Sequence, residues 1–241
     1  MLLKKTIFSL IIILSSIVLK AQNNCSIGYN VTDNYRILKA KSEPFKSTVK
    51  KLDSSEIRGA GHTGYLNYSI KLNSRFSILT QSNYNIVEYK TKKRDGNVYD
   101  DITQKKIKSD HWETYRYNFI SGGVGVVLYS KNKLFSITPA ISYQRLLRYW
   151  SKSYYYVPNY KATSANGGYY HNDTSKVKNN YSVSLNLGYS LAAIRLPDIS
   201  VNVKGEYFLN SIYTNKSIKN HLWNLGVGVS MAIRPIKGKK N

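Results

Sequence analysis

From Asn180 to Asn210 the chain changes chemistry at every step. Tyr181, Val183, Leu185, Leu187, Tyr189 and Leu191 share one parity, and Ser182, Ser184, Asn186, Gly188, Ser190 and Ala192 the other. After a short Leu196-Pro197-Asp198 turn, Ile199, Val201, Val203, Gly205, Tyr207 and Leu209 alternate with Ser200, Asn202, Lys204, Glu206 and Asn210. Neighbouring side chains of a strand point to opposite faces, so strict period two marks strands with one apolar and one polar face. Strands in soluble sandwiches run about 5–6 residues. These arms are roughly twice that, the length a tilted strand needs to cross a bilayer.

Helical spans are excluded by the rest of the sequence. The apolar run Ile7 to Leu19 is too short, since a spanning helix needs about twenty residues. It follows Lys4-Lys5 and precedes Lys20-Ala21-Gln22, which predicts a secretory signal peptide over residues 1–21, cut near Ala21. Residues 22–241 then form one domain. The single cysteine, Cys25, cannot make an internal disulfide, and Gln22-Asn23-Asn24 lacks the small and branched residues of a lipidation site. Mean hydropathy is −0.39. Only helices and closed barrels satisfy every backbone group in lipid, so the mature chain is either soluble or a barrel.

Six further alternating segments accompany the first two. Ile27, Tyr29 and Val31 begin a first strand; Leu66, Tyr68, Ile70 and Leu72 mark a second; Phe76, Ile78, Tyr84 and Ile86 a third. In the fourth, Tyr115, Tyr117 and Phe119 share one parity and Val124, Val126 and Leu128 the other. Gly122-Gly123 lies between, which predicts a β-bulge there. Phe135, Ile137, Ile141 and Tyr143 line the fifth strand, with Pro139 among them, and Trp223, Leu225, Val227, Val229 and Met231 the eighth. Long polar loops are predicted over 39–58, 92–112 and 152–178, a medium one over 214–220, and short turns elsewhere. Long and short connections alternate, as in barrels with short periplasmic turns and longer outer loops. The prediction is an all-β, eight-stranded antiparallel up-and-down transmembrane β-barrel with both termini in the periplasm.

On the leader, the eight alternating strands and the loop pattern, residues 25–236 resemble the small Gram-negative outer-membrane β-barrel proteins of the OmpX/Opa-like type. The resemblance implies an outer-membrane location and a partnership with outer-membrane lipid and lipopolysaccharide. Such barrels commonly end on an aromatic residue, whereas this chain runs through Arg234-Pro235-Ile236 into a Gly-Lys-Lys-Asn tail.

An eight-stranded barrel is filled by its own side chains, so a wide pore is not expected. The expected interior is a polar plug of Asn67, Lys71, Gln81, Asn83, Asn186, Asn202, Lys204 and Glu206, with Arg145 as a further member. Its charges must be paired, because a lone buried charge is costly. His62, His111, His171 and His221 show neither ligand spacing for a metal nor a recognisable triad, so no cofactor, metal or catalytic residue is assigned. The surface-binding candidates are Tyr154, Tyr155, Tyr156, Tyr160, Tyr169 and Tyr170, with Lys152 and Lys161 beside them. Aromatic rings stack on sugars, and lysine meets phosphate or carboxylate. With 22 tyrosines and a net charge of +23, glycans or surface proteins are the expected partners of a monomer. Nucleic acid is excluded by location. The same tyrosines also suit an interface girdle. A lipid A-modifying hydrolase and a soluble barrel with a small apolar ligand are the alternatives. The latter requires its apolar parity to face inward.

Overall fold

The structure, a computed structural model, describes residues 23–40, 42–53, 56–57, 59–100, 104–156, 170–171, 177–196, 198–212 and 217–233. The expected leader lies outside them. Eight main strands follow one another: β1 (Asn23–Ala40), β2 (Gly59–Lys71), β3 (Phe76–Thr91), β4 (Lys105–Tyr129), β5 (Phe135–Tyr156), β6 (Asn180–Ser190), β7 (Ile199–Phe208) and β8 (Ile218–Ile233). Each pairs antiparallel with its sequence neighbour. β8 then pairs with β1, from Cys25 opposite Ile233 to Ala40 opposite Ile218. The ring is closed, and its ladders pair with one another instead of with water.

The parity question is decided by exposure. Leu185 is 48%, Leu187 46%, Val227 60% and Val229 53% exposed, all on the outside of the ring. Ile27, Val31, Leu66, Ile78, Val124 and Ile137 continue this belt around the other strands. A soluble monomer rarely exposes an apolar patch beyond about 300–600 Å². This belt encircles the molecule, so its solvent is lipid, and the soluble ligand-binding alternative falls. Aromatic rings edge the belt: Phe135 and Tyr189 pack at 4.9 Å near one rim, Tyr143 and Tyr181 at 5.4 Å near the other.

The tight connections at 72–75, 130–134 and 191–198 share one end of the ring with Asn23 and Ile233. Each is closed locally. In the first, Asn73 Oδ1 accepts the N–H groups of Arg75 and Phe76 at 2.8 and 2.9 Å. The last is a 3-10 turn, Leu191–Ile194, capped by left-handed Arg195. The longer connections share the other end.

Three sequence expectations need correction. The first concerns Gly122-Gly123, where no bulge occurs: the β3–β4 ladder runs unbroken from Phe76–Leu128 to Lys90–Thr114. Tyr117 and Phe119 keep the inward parity of Gly123 and Val127, so the chemistry of the inner face changes while its phase does not. The bulge sits in β5 instead. Asn118 pairs with Arg148 and Phe119 with Leu146, leaving Leu147 unopposed. The second concerns the loop over 39–58, which contains a helix, α1 (Phe45–Asp53), that packs against β1 with Val49 buried, and a two-residue strand, Glu56–Ile57, on β3. The third concerns 92–112, which is a hairpin in which Arg94–Asp100 pairs with the start of β4. Pro139 is accommodated where the β4–β5 ladder skips it and Thr138.

Leu185→Arg, at the middle of β6, is expected to destabilise the barrel by about 2–4 kcal/mol when denaturant unfolding is followed in lipid bilayers. Tyr156→Arg, above the belt, is expected to change stability by less than about 0.5 kcal/mol. Equal effects at the two positions would remove the lipid-facing assignment.

Candidate functional site

The inner face is layered. Around its middle, Glu206 (4% exposed) gathers a polar network: its Oε1 accepts from Gln144 Nε2 at 2.9 Å and Ser182 Oγ at 2.7 Å, and its Oε2 meets Lys204 Nζ at 3.4 Å. Asn85 Nδ2 donates to Gln144 Oε1 at 3.0 Å, and Asn83 Nδ2 to Ser121 Oγ at 3.0 Å. Gln81 Nε2 reaches Ser142 Oγ at 2.7 Å. Two buried charges are tolerable here because each has the other and the carboxylate has two further donors. Lys71 stands half-buried at the short-turn end of β2. Arg145 is not in the interior. It follows inward-facing Gln144 by one residue, so the alternation places it on the exposed outer face, opposite Ile120.

Toward the long-loop end every contributing strand switches from polar to apolar. On β3 Asn85 gives way to Val87 and Tyr89, on β4 Ser121 to Phe119 and Tyr117, on β5 Gln144 to Leu146 and Tyr149. On β7 Glu206 gives way to Phe208, and on β8 Asn224 to Leu222. Val177 and Ile212, from the outer connections, close the cluster. Tyr117, Phe119, Phe208 and Ile212 are fully buried; Phe119 and Phe208 meet at 5.4 Å, and Tyr89 Oη donates to Tyr117 Oη at 2.7 Å. The Arg36 guanidinium lies 4.8 Å from the Tyr89 ring centre. Sequence reasoning missed this core because it assigned the large apolar residues to lipid. The signal present was the parity shared by Tyr115, Tyr117 and Phe119.

Outside, the lipid-facing parity acquires charge as β3, β4 and β5 pass the aromatic rim. Arg116 donates to Glu88 through Nε and Nη2 at 2.9 and 2.7 Å and covers Trp150 at 4.9 Å. Further out, Trp112 and Tyr154 are register partners stacked at 5.2 Å with 5° between planes. Lys152 Nζ lies 4.7 Å from the Tyr154 ring centre. Lys93 Nζ lies 5.3 Å from that of Trp112 and 5.7 Å from that of Tyr156, and 3.7 Å from Asp110 Oδ2. Of the surface candidates, Lys152, Tyr154 and Tyr156 are thus brought together, with Trp112 and Lys93 as members the sequence reading did not single out. Tyr155 pairs through its backbone with His111, and Tyr170 with Lys152. Tyr160, Lys161 and Tyr169 lie outside the described residues.

Two histidines have plain structural surroundings. His62 Nδ1 is 2.5 Å from Tyr29 Oη, and the two rings stack. His221 Nδ1 lies 3.3 Å from the Phe208 carbonyl, and its ring stacks on Tyr207. Among the described residues, no group of three or more His, Cys, Asp or Glu side chains is placed to hold a metal ion.

No family model matches the sequence, and no curated protein matches it. Solved structures do. OmpT, an outer-membrane protease of Escherichia coli, is similar at 11% identity and a TM-score of 0.44, over 88% of this chain and 96% of that one. Neisserial surface protein A is similar at 8% identity and 0.38, over 86% and 96%. Ail, the attachment invasion locus protein of Yersinia pestis, solved with the heparin analogue sucrose octasulfate, is similar at 12% and 0.34, over 87% and 97%. The assignment rests on the molecule's own geometry. With a closed eight-strand ring, an apolar belt facing lipid and a polar interior, the chain is a small transmembrane β-barrel of the outer-membrane type.

Proposed function

We propose that this chain is a monomeric, non-enzymatic barrel of the Gram-negative outer membrane, exported by a leader at residues 1–21, that binds anionic glycans at the cell surface. The observation that carries the proposal is the array of Trp112, Lys152, Tyr154 and Tyr156 on strands continuing past the belt, with Lys93 from the turn that follows β3. Flat rings offer stacking faces for sugars, and the lysines between them meet sulfate, phosphate or carboxylate. The net charge of +23 draws polyanions from a distance. Lipopolysaccharide of the surrounding leaflet and glycans of another surface both present this chemistry. The aromatic core across the lumen favours binding over transport.

Binding of the purified barrel to heparin is the direct test. Each exposed cation–ring contact is worth about 0.5–1 kcal/mol, so removing Lys93, Trp112 and Tyr154 together by alanine substitution is expected to weaken binding about tenfold. The apparent affinity should also fall with rising salt. Unchanged heparin affinity in the triple variant would sink the proposal.

The core makes a separate forecast. In planar bilayers the wild-type barrel is expected to pass no steady single-channel current. Phe119→Ala with Phe208→Ala removes two rings from the block, and current steps are expected to appear. Steady conductance in the wild type would show that the lumen is continuous.

A further inference from the structure

Below the Lys204–Glu206 layer the lumen is not filled. A cavity of about 400 Å³ extends from there to the short-turn end, with Lys133, Ser190 and Asp198 at its mouth. Small-molecule pockets run about 300–1,000 Å³, so the size admits a small ligand. The aromatic core closes the other end, which makes the cavity a vestibule entered from one side. In the orientation proposed above, that side is the periplasm.

Its chemistry narrows the ligand. Asn30, Asn67 and Asn186 line the wall, and the Oδ1 atom of each is buried and accepts no hydrogen bond from the described residues. Asn30 is only 1% exposed. Gln81, Ser136, Thr138, Ser184 and Ser200 join these asparagines, so the wall offers both hydrogen-bond donors and acceptors. Charge does not select the ligand. Lys204 is neutralised by Glu206 in the floor, and Lys133 and Asp198 oppose each other in sign at the mouth. The rest of the polar lining is uncharged Asn, Gln, Ser, Thr and Tyr, which neutralises neither a cation nor an anion.

The wall also carries a fixed ring. Tyr65 lines the cavity and packs on Gly28, where an added Cβ would come within 2.5 Å of the Tyr65 Cζ, Oη and Cε2 atoms. Tyr65 Oη accepts from Asn202 Nδ2 at 3.1 Å. A held aromatic ring beside amide and hydroxyl groups suits a molecule with apolar C–H faces and many O–H groups.

We propose that the vestibule is a binding site for a small neutral polyol, a sugar of one or two rings, entering from the short-turn end. The site is distinct from the charged outer array and stands whether or not that array binds glycans.

The test titrates trehalose and glucose, neutral probes, into the folded full-length barrel in detergent micelles, following backbone amide signals of Gly28, Tyr65 and Asn186. Saturable shifts confined to the vestibule are expected, with dissociation constants on the order of millimolar for a small polyol of this kind. Asn30→Leu with Asn186→Leu should weaken binding at least tenfold. Ser190→Trp, which narrows the mouth and leaves the interior intact, should do the same. Lys93→Ala with Trp112→Ala should leave the sugar titration unchanged. Shifts that never saturate, shifts indifferent to Ser190→Trp, or shifts lost with the outer array would each overturn the proposal. The first of these would mean that the vestibule holds water alone.

Discussion

The structure depends on a single prohibition. Hydrocarbon supplies no hydrogen-bonding partner, so a strand that enters it must find both neighbours within the chain. The β8–β1 ladder meets that demand: without it, the pairing of the other fourteen of sixteen strand sides means nothing, because two bare edges would remain in lipid. Closure then forces the rest. A closed ring has only an inside and an outside, and period two sends successive side chains to each in turn. The outside becomes Leu, Val and Ile, edged by Tyr and Phe. The inside is free to differ from strand to strand, and along each strand.

That freedom is used unevenly. Near the short turns the inner face is Asn, Ser and small residues, leaving open space. At mid-height the Glu206 network links β3, β5, β6 and β7 by side-chain hydrogen bonds. Beyond it the inner face becomes aromatic. A buried ion pair is a weak source of stability by itself. Here it lies between a hydrated space and a packed apolar core, and its extra donors fix the level at which the two meet. Small inner residues are part of the same design. A side chain at Gly228 would collide with the Tyr29 carbonyl and Asn30 Oδ1, as one at Gly28 would with Tyr65.

The sequence made the fold legible because lipid writes the same rule on every strand. Strand number and turn placement followed from alternation and loop length, while the outward facing of the apolar parity, expected from the sequence, was decided by exposure. The interior was less readable. Tyr117 and Phe119 look like lipid-facing residues, and only their neighbours across the lumen, Phe208 and Leu222, show that they belong to a core. Arg145 failed for the opposite reason: a charge within a spanning strand was taken for an interior one, yet it lies where β5 leaves the belt and charge can face water. The hairpin over 94–111 was hidden because strands outside lipid need no apolar parity. Its alternation carries Lys, Asp and His, which read as loop.

The single extra residue in β5 ties these regions together. Up to Gln144 the even residues of β5 face inward; after Leu147 the odd residue Tyr149 does, joining the aromatic core. The same slip turns Trp150, Lys152, Tyr154 and Tyr156 outward. Carried on without the slip, the register would set Ser153, not Tyr154, beside Trp112, and would point the Lys152–Tyr154 side of the strand toward the lumen. Leu147 itself is 50% exposed and unopposed, as a bulged residue facing lipid near the rim can be. One inserted residue at the membrane boundary therefore completes the block inside the barrel and assembles the cation–aromatic array outside it. The two features are coupled by backbone geometry alone.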